Sequence, residues 1–157
     1  MTRISVRAML FAMSLTLLGP AAARAQDIKP EVIRQAKQAT ALVVLPSARG
    51  FGSAVCIDEA GYFLTNEHVV RSSGGSEVTL VLSAGQDDQK IVKAQVVRQD
   101  KDKDLALLQA NGERKYTPLV LGIDTELVET QRVIAFGYPF GTALKVKEQE
   151  YPSISVN

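Results

Sequence analysis

The chain has 157 residues, a formal net charge of +1 and 46% hydrophobic residues. That is enough chain and apolar surface for a domain core, and it excludes wholesale disorder. The balanced charge, with no Lys/Arg run longer than two residues, gives no basis for nucleic acid as a partner.

The first element in chain order is a leader. Arg3 and Arg7 form a positive n-region, residues 8–18 are apolar, and Ala23-Arg24-Ala25 places small residues where a signal peptidase reads them. This is the layout of a secretory signal peptide over residues 1–25, cut after about Ala25. The apolar run is too short for a stable membrane anchor. The expected localisation is therefore export, to a periplasm or beyond. The single cysteine, Cys56, excludes an intrachain disulfide, and its apolar setting in Ala54-Val55-Cys56-Ile57 points to packing.

Residues 26–38 read as a short helical segment: Pro30 suits a first turn, and Val32, Ile33 and Ala36 fall on one face. The pattern then changes to short β-runs separated by turn signals. Strands are expected at residues 41–45, 51–57 and 62–64, with turns at 46–50 and 58–61. A Gly/Ser loop at 72–76 leads to an apolar run at 78–82. After a turn at 84–88 come a partly alternating run at 91–97 and apolar runs at 105–108, 118–121 and 133–136. Short strands at this spacing, without long amphipathic helices, point to an all-β antiparallel barrel or sandwich and away from a parallel βαβ sheet.

The one histidine, His68, sits in Thr65-Asn66-Glu67-His68-Val69-Val70, just after a strand, where a polar loop side chain can face a cleft. A lone histidine is also commonly a satisfied surface or core residue. Asp104 opens the apolar run Leu105-Ala106-Leu107-Leu108, where an acid can be drawn inward against an imidazole. Turn chemistry alone accounts for an Asp there too, and Asp100 and Asp102 are rivals in the same turn. One His and one Cys do not make a metal-ligand set, and no phosphate- or dinucleotide-binding glycine motif occurs, so no metal or cofactor is expected.

Taken in order, Phe51-Gly52-Ser53-Ala54-Val55, Tyr62-Phe63-Leu64-Thr65-Asn66-Glu67-His68-Val69-Val70, Asp104-Leu105-Ala106-Leu107-Leu108 and Phe136-Gly137-Tyr138-Pro139-Phe140-Gly141 resemble the HtrA/Deg type of trypsin-like serine protease. The resemblance implies two antiparallel β-barrels with an active site in the cleft between them. Residues 39–122 would form the first barrel, and residues 123–157 the inter-barrel link and an incomplete start of the second. His68 would be the general base toward a serine, then the acid toward the leaving amine; Asp104 would hold the imidazole tautomer and stabilise the imidazolium. The implied partners are a protein or peptide substrate and further copies of the chain in a homo-oligomer.

The departures from the family pattern matter as much. No Gly-Asn/Asp-Ser-Gly-Gly nucleophile segment occurs in these 157 residues. Ser72-Ser73-Gly74-Gly75 lies on the wrong side of Asp104 and reads as a flexible loop. Ser53 occupies a position where family serines are structural, and Ser153 and Ser155 alternate with Ile154 and Val156 as in a strand. Tyr138 stands where Asn is more usual before Pro-Phe-Gly. The expectation is the N-terminal part of a serine endopeptidase that lacks nucleophile, oxyanion hole and specificity pocket, and is inactive alone. The alternative is a non-catalytic exported barrel that binds extended peptides along a strand edge.

Overall fold

The computed structural model describes residues 28–46, 50–71, 74, 77–112, 114–141 and 151–157. The signal peptide read over residues 1–25 lies outside them, as do Ser72, Ser73, Gly75 and Ser76 of the Gly/Ser loop.

Helix α1 (Pro30–Ala39) begins on Pro30, whose fixed φ and missing N–H suit a first turn. Glu31 near its start and Lys37 near its end complement the helix dipole. The inward face is rotated slightly from the expected one: Ala36 is buried and Ile33 half-buried as expected, Ala39 joins them, and Val32 is 52% exposed. The exit from the helix sets this. The Thr40 hydroxyl donates to Ala36 O at 2.8 Å, which ties the last turn to the first barrel strand and turns the alanines inward.

Six strands follow: β1 (Thr40–Val44), β2 (Phe51–Asp58), β3 (Tyr62–Thr65), β4 (Glu77–Leu82), β5 (Lys90–Asp100) and β6 (Leu105–Ala110). One further helix, α2 (Glu67–Arg71), separates β3 from β4. The strands form a closed antiparallel barrel in the order β1-β2-β3-β6-β5-β4, with β4 returning to β1. Closure gives each of them a partner on both sides. Alternate side chains point inward, as the two-residue period of a strand requires. Ala41 and Val43 of β1, Phe63 of β3, Leu80 of β4 and Leu108 of β6 meet in the core, and the small Ala54, Ala94 and Ala106 leave room for the larger groups. Tyr116 packs against this core, edge-on to Phe63 with ring centroids 5.5 Å apart.

A second cluster covers the outer side of β1. Leu42 and Val81 point out of the barrel and are buried by Tyr138 and Ala84, with Tyr151 and Ile154 packed beside them. Tyr138 belongs to the segment after β7 (Phe136–Gly137), which pairs with β8 (Ser155–Val156) in a separate two-stranded sheet. The unusual Tyr138 is therefore an apolar anchor for the chain beyond the barrel. Burial pushes its phenol up to about 12.

The apolar runs at 118–121 and 133–136 differ from expectation. No strand covers 118–121, and β7 begins only at Phe136. Each run makes only local pairings: the Leu119 N–H donates to Cys56 O of β2 at 2.9 Å, Ala135 exchanges two hydrogen bonds with Asn157 beside the β7–β8 pair, and Val120 is 91% exposed. No helix among the described residues is long and apolar enough to cross a membrane.

Among the described residues Phe63 is the largest fully buried side chain. Phe63→Ala is expected to cost about 3–5 kcal/mol of stability, read as a lower midpoint in denaturant unfolding of the full chain. A loss below about 1 kcal/mol would contradict the packed core described above.

Candidate active site

Two local structures place the candidate residues. The first is the turn between β5 and β6, closed by the pairing of Asp100 with Leu105. The Asp100 carboxylate accepts the Lys103 N–H at 3.0 Å, and Lys101 O accepts the Asp104 N–H at 3.3 Å. Asp104 then adopts a φ of 51°, the left-handed region that short polar side chains enter more readily than others.

The second is α2, a short helix where the sequence leads one to expect a loop. Its five residues are too few to be stable alone, so packing must hold them. Val70 is buried, and Val69 sits over Gly52 of β2. A Cβ on Gly52 would lie 2.6 and 2.8 Å from the two Val69 methyl carbons, so only glycine lets the helix come this close.

These placements bring His68 and Asp104 together. The Asp104 carboxylate accepts the backbone N–H of His68 at 2.9 Å through Oδ1, and lies 2.7 Å from His68 Nδ1 through Oδ2. Asn66 Nδ2 donates to the same Oδ2 at 3.1 Å and to Asp104 O at 3.2 Å. Asp104 is held below the usual carboxylate range, first by the His68 N–H, then by the imidazole, with Asn66 adding to both. An ionised carboxylate only accepts hydrogen bonds, so Nδ1 carries a proton, and in the neutral ring Nε2 is the nitrogen that presents a lone pair. The side chains of His68 and Asp104 are 61% and 44% exposed, so Nε2 is reachable from solvent.

Of the three rival carboxylates, only Asp104 reaches the imidazole. Asp100 is engaged with Lys103, and among the described residues no hydrogen bond joins Asp102 to His68. Ser53 is occupied structurally: its Oγ accepts the Tyr138 N–H at 2.8 Å, and its carbonyl accepts the Thr65 hydroxyl at 2.8 Å. Cys56 is buried, its thiol pushed up by that burial, and its Sγ donates to Asp58 O at 3.3 Å. Among the described residues no three His, Cys, Asp or Glu side chains converge as a metal set.

Sequence reasoning missed the Glu67–Arg71 pair. Arg71 Nε donates to both Glu67 carboxylate oxygens, at 3.1 and 3.0 Å, and Nη2 donates to Oε2. The i,i+4 spacing was a usable signal, but only once a helix is assumed there.

Residues 52–156 match the trypsin-like peptidase domain family. The chain belongs to this family. Among curated relatives it is 37% identical over 106 residues to Protease Do-like 1, chloroplastic, of Arabidopsis thaliana, covering 67% of this chain and 23% of that one. It is 37% identical over 91 residues to a probable periplasmic serine endoprotease, DegP-like, of Bartonella henselae, covering 58% of this chain and 17% of the relative. The chain thus spans less than a quarter of the length of these relatives. The crystal structure of Deg5 superposes with a TM-score of 0.65 at 20% identity, over 83% of this chain and 63% of that one, a likeness of fold. Within the family's antiparallel barrel, His68 and Asp104 stand at neighbouring strand ends, after β3 and before β6, which pair directly.

Two outcomes test this geometry. Gly52→Ala should push Val69 outward, tilt α2 and weaken the His68–Asp104 bond, seen as a changed ring spectrum of the single histidine in NMR; an unchanged spectrum would refute the close packing. Because its folded-state carboxyl is depressed, Asp104 contributes stability above the unfolded carboxylate value of about 3.9, and this is lost as pH falls through the lower folded value. The stability gap between wild type and Asp104→Asn should therefore shrink in acid unfolding. A gap that stays constant from about pH 6 to about pH 2 would contradict the assignment.

Proposed function

We propose that this chain carries the base-and-acid half of a Ser-His-Asp serine endopeptidase, with His68 as general base and Asp104 as its orienting acid. The observation that carries this reading is the double contact of Asp104 with His68, through the backbone N–H and through Nδ1. One carboxylate fixes both the position of the residue and the tautomer of its ring. Nε2 is then free to take a proton from a serine and later return it to the leaving amine. Substrates would be polypeptides, in keeping with the endoprotease names of the relatives. The leader motif at residues 1–25 and the periplasmic relatives support export. Assembly into a homo-oligomer belongs to the same reading.

The serine is the missing part. No Gly-Asn/Asp-Ser-Gly-Gly segment occurs in the 157 residues, and the Ser53 hydroxyl is committed to the Tyr138 N–H. These 157 residues alone are therefore expected to be inactive, with nothing for the base to activate. The alternative, a barrel that binds extended peptides at a strand edge, is disfavoured because closure gives each of β1–β6 a partner on both sides.

The test joins this chain to a serine-bearing second barrel from a DegP-like relative and follows hydrolysis of an unfolded protein. Activity is expected from the fusion and not from the chain alone. His68→Ala should abolish it, and Asp104→Asn should lower turnover on the order of 10⁴-fold. Labelling of the chain alone by a fluorophosphonate probe, or a fusion indifferent to His68→Ala, would overturn the reading.

A further inference from the structure

The Glu67–Arg71 pair lies outside the roles given to His68 and Asp104, yet it brackets His68. Glu67 is the first residue of α2 and Arg71 the last. Glu67 is buried, and its side chain is only 7% exposed. Both of its oxygens are held by Arg71. A buried carboxylate one residue from the imidazole is a second negative charge beside Asp104, and like charges in so small a space oppose each other.

We propose that Glu67 and Arg71 are positioning residues for His68: their fork closes α2 from first residue to last, and Arg71 cancels the second carboxylate so that the charge of Asp104 alone orients the imidazole. This rests on the assignment of His68 and Asp104 made above. Among the described residues, His68, Glu67 and Arg71 of α2 act on Asp104, Lys101 acts on Glu67, and Lys103 and Asp100 are spent on each other. Arg71 holds Glu67 below the usual carboxylate range chiefly by hydrogen bonding, and Asp104 works against this through like-charge repulsion. By reciprocity Glu67 disfavours the ionised form of Asp104, and Arg71 favours it.

A clamp that acted only by shape would respond alike to loss of either partner. The charge-balance role responds with opposite signs. The single histidine makes this measurable on the full chain by NMR, because its ring signals report the protonation of Asp104. Arg71→Met should move the Asp104 titration upward and Glu67→Gln should move it downward, while Arg71→Lys and the Glu67→Gln/Arg71→Met double variant should stay close to wild type. Shifts of the same sign in both single variants, or no shift in either, would overturn the proposal. Should Arg71→Met not fold, Glu67→Gln and Arg71→Lys decide alone: a downward move in the first and none in the second supports the role, and any other pattern overturns it. Asp104→Asn serves as the reference. If it leaves the ring signals unmoved, the His68–Asp104 pairing itself fails, a result distinct from failure of the Arg71 role.

Discussion

Pairing of β1 with β4, from Ala41 opposite Leu82 to Val44 opposite Thr79, turns an open sheet into a closed barrel. Closure removes the free edges that a six-stranded sheet would otherwise expose. It also encloses a core that no single strand face could bury. The ends of β3 and β6 are held at a fixed separation as a result, and the two candidate residues are attached there. β1 bears the largest demand, because both of its faces are buried. Its inward residues fill the barrel, and its outward Leu42 is covered by Tyr138.

The site is built from weak local structures that hold one another. A five-residue helix and a turn with a left-handed Asp104 are each unfavourable alone. The carboxylate of the strained residue accepts the backbone N–H of the helix that needs anchoring. Asn66, just before that helix, binds the carbonyl and carboxylate of Asp104 in return. Strain at such a position persists only where the surroundings over-determine it, and here three donor groups do so. Gly52 contributes by absence, since the missing side chain lets α2 settle onto β2.

Ser53 and Tyr138 have packing roles. Ser53 and Tyr138 are joined by one hydrogen bond, and together they seat the segment after the barrel against β1 and β2. Between the barrel and that seat the apolar side chains of Val120, Leu127 and Val133 stand in solvent. The chain's apolar surface is thus divided between a satisfied barrel and an uncovered link, and the candidate site lies on the barrel.

The sequence by itself determined the class of fold, because strand periodicity and turn residues are local properties. The order and type of the β-runs could be read from residues 41–108 for that reason. It also singled out His68, as the one imidazole, and Asp104 through a motif resemblance. Other features depended on contacts between distant residues, which no local pattern encodes. The choice of Asp104 over Asp100 and Asp102 required the turn to set one carboxylate against His68 and commit another to Lys103. The helix under His68, the inward turn of Ala39 and the buried Glu67 each follow from what the barrel presses against them. The runs at 118–121 and 133–136 carry strand-like residues, but Leu119 meets β2 through one hydrogen bond to Cys56 O and Ala135 pairs only with Asn157, too little partnering to make a strand of either run. Propensity is a property of the segment, whereas pairing is a property of the folded molecule.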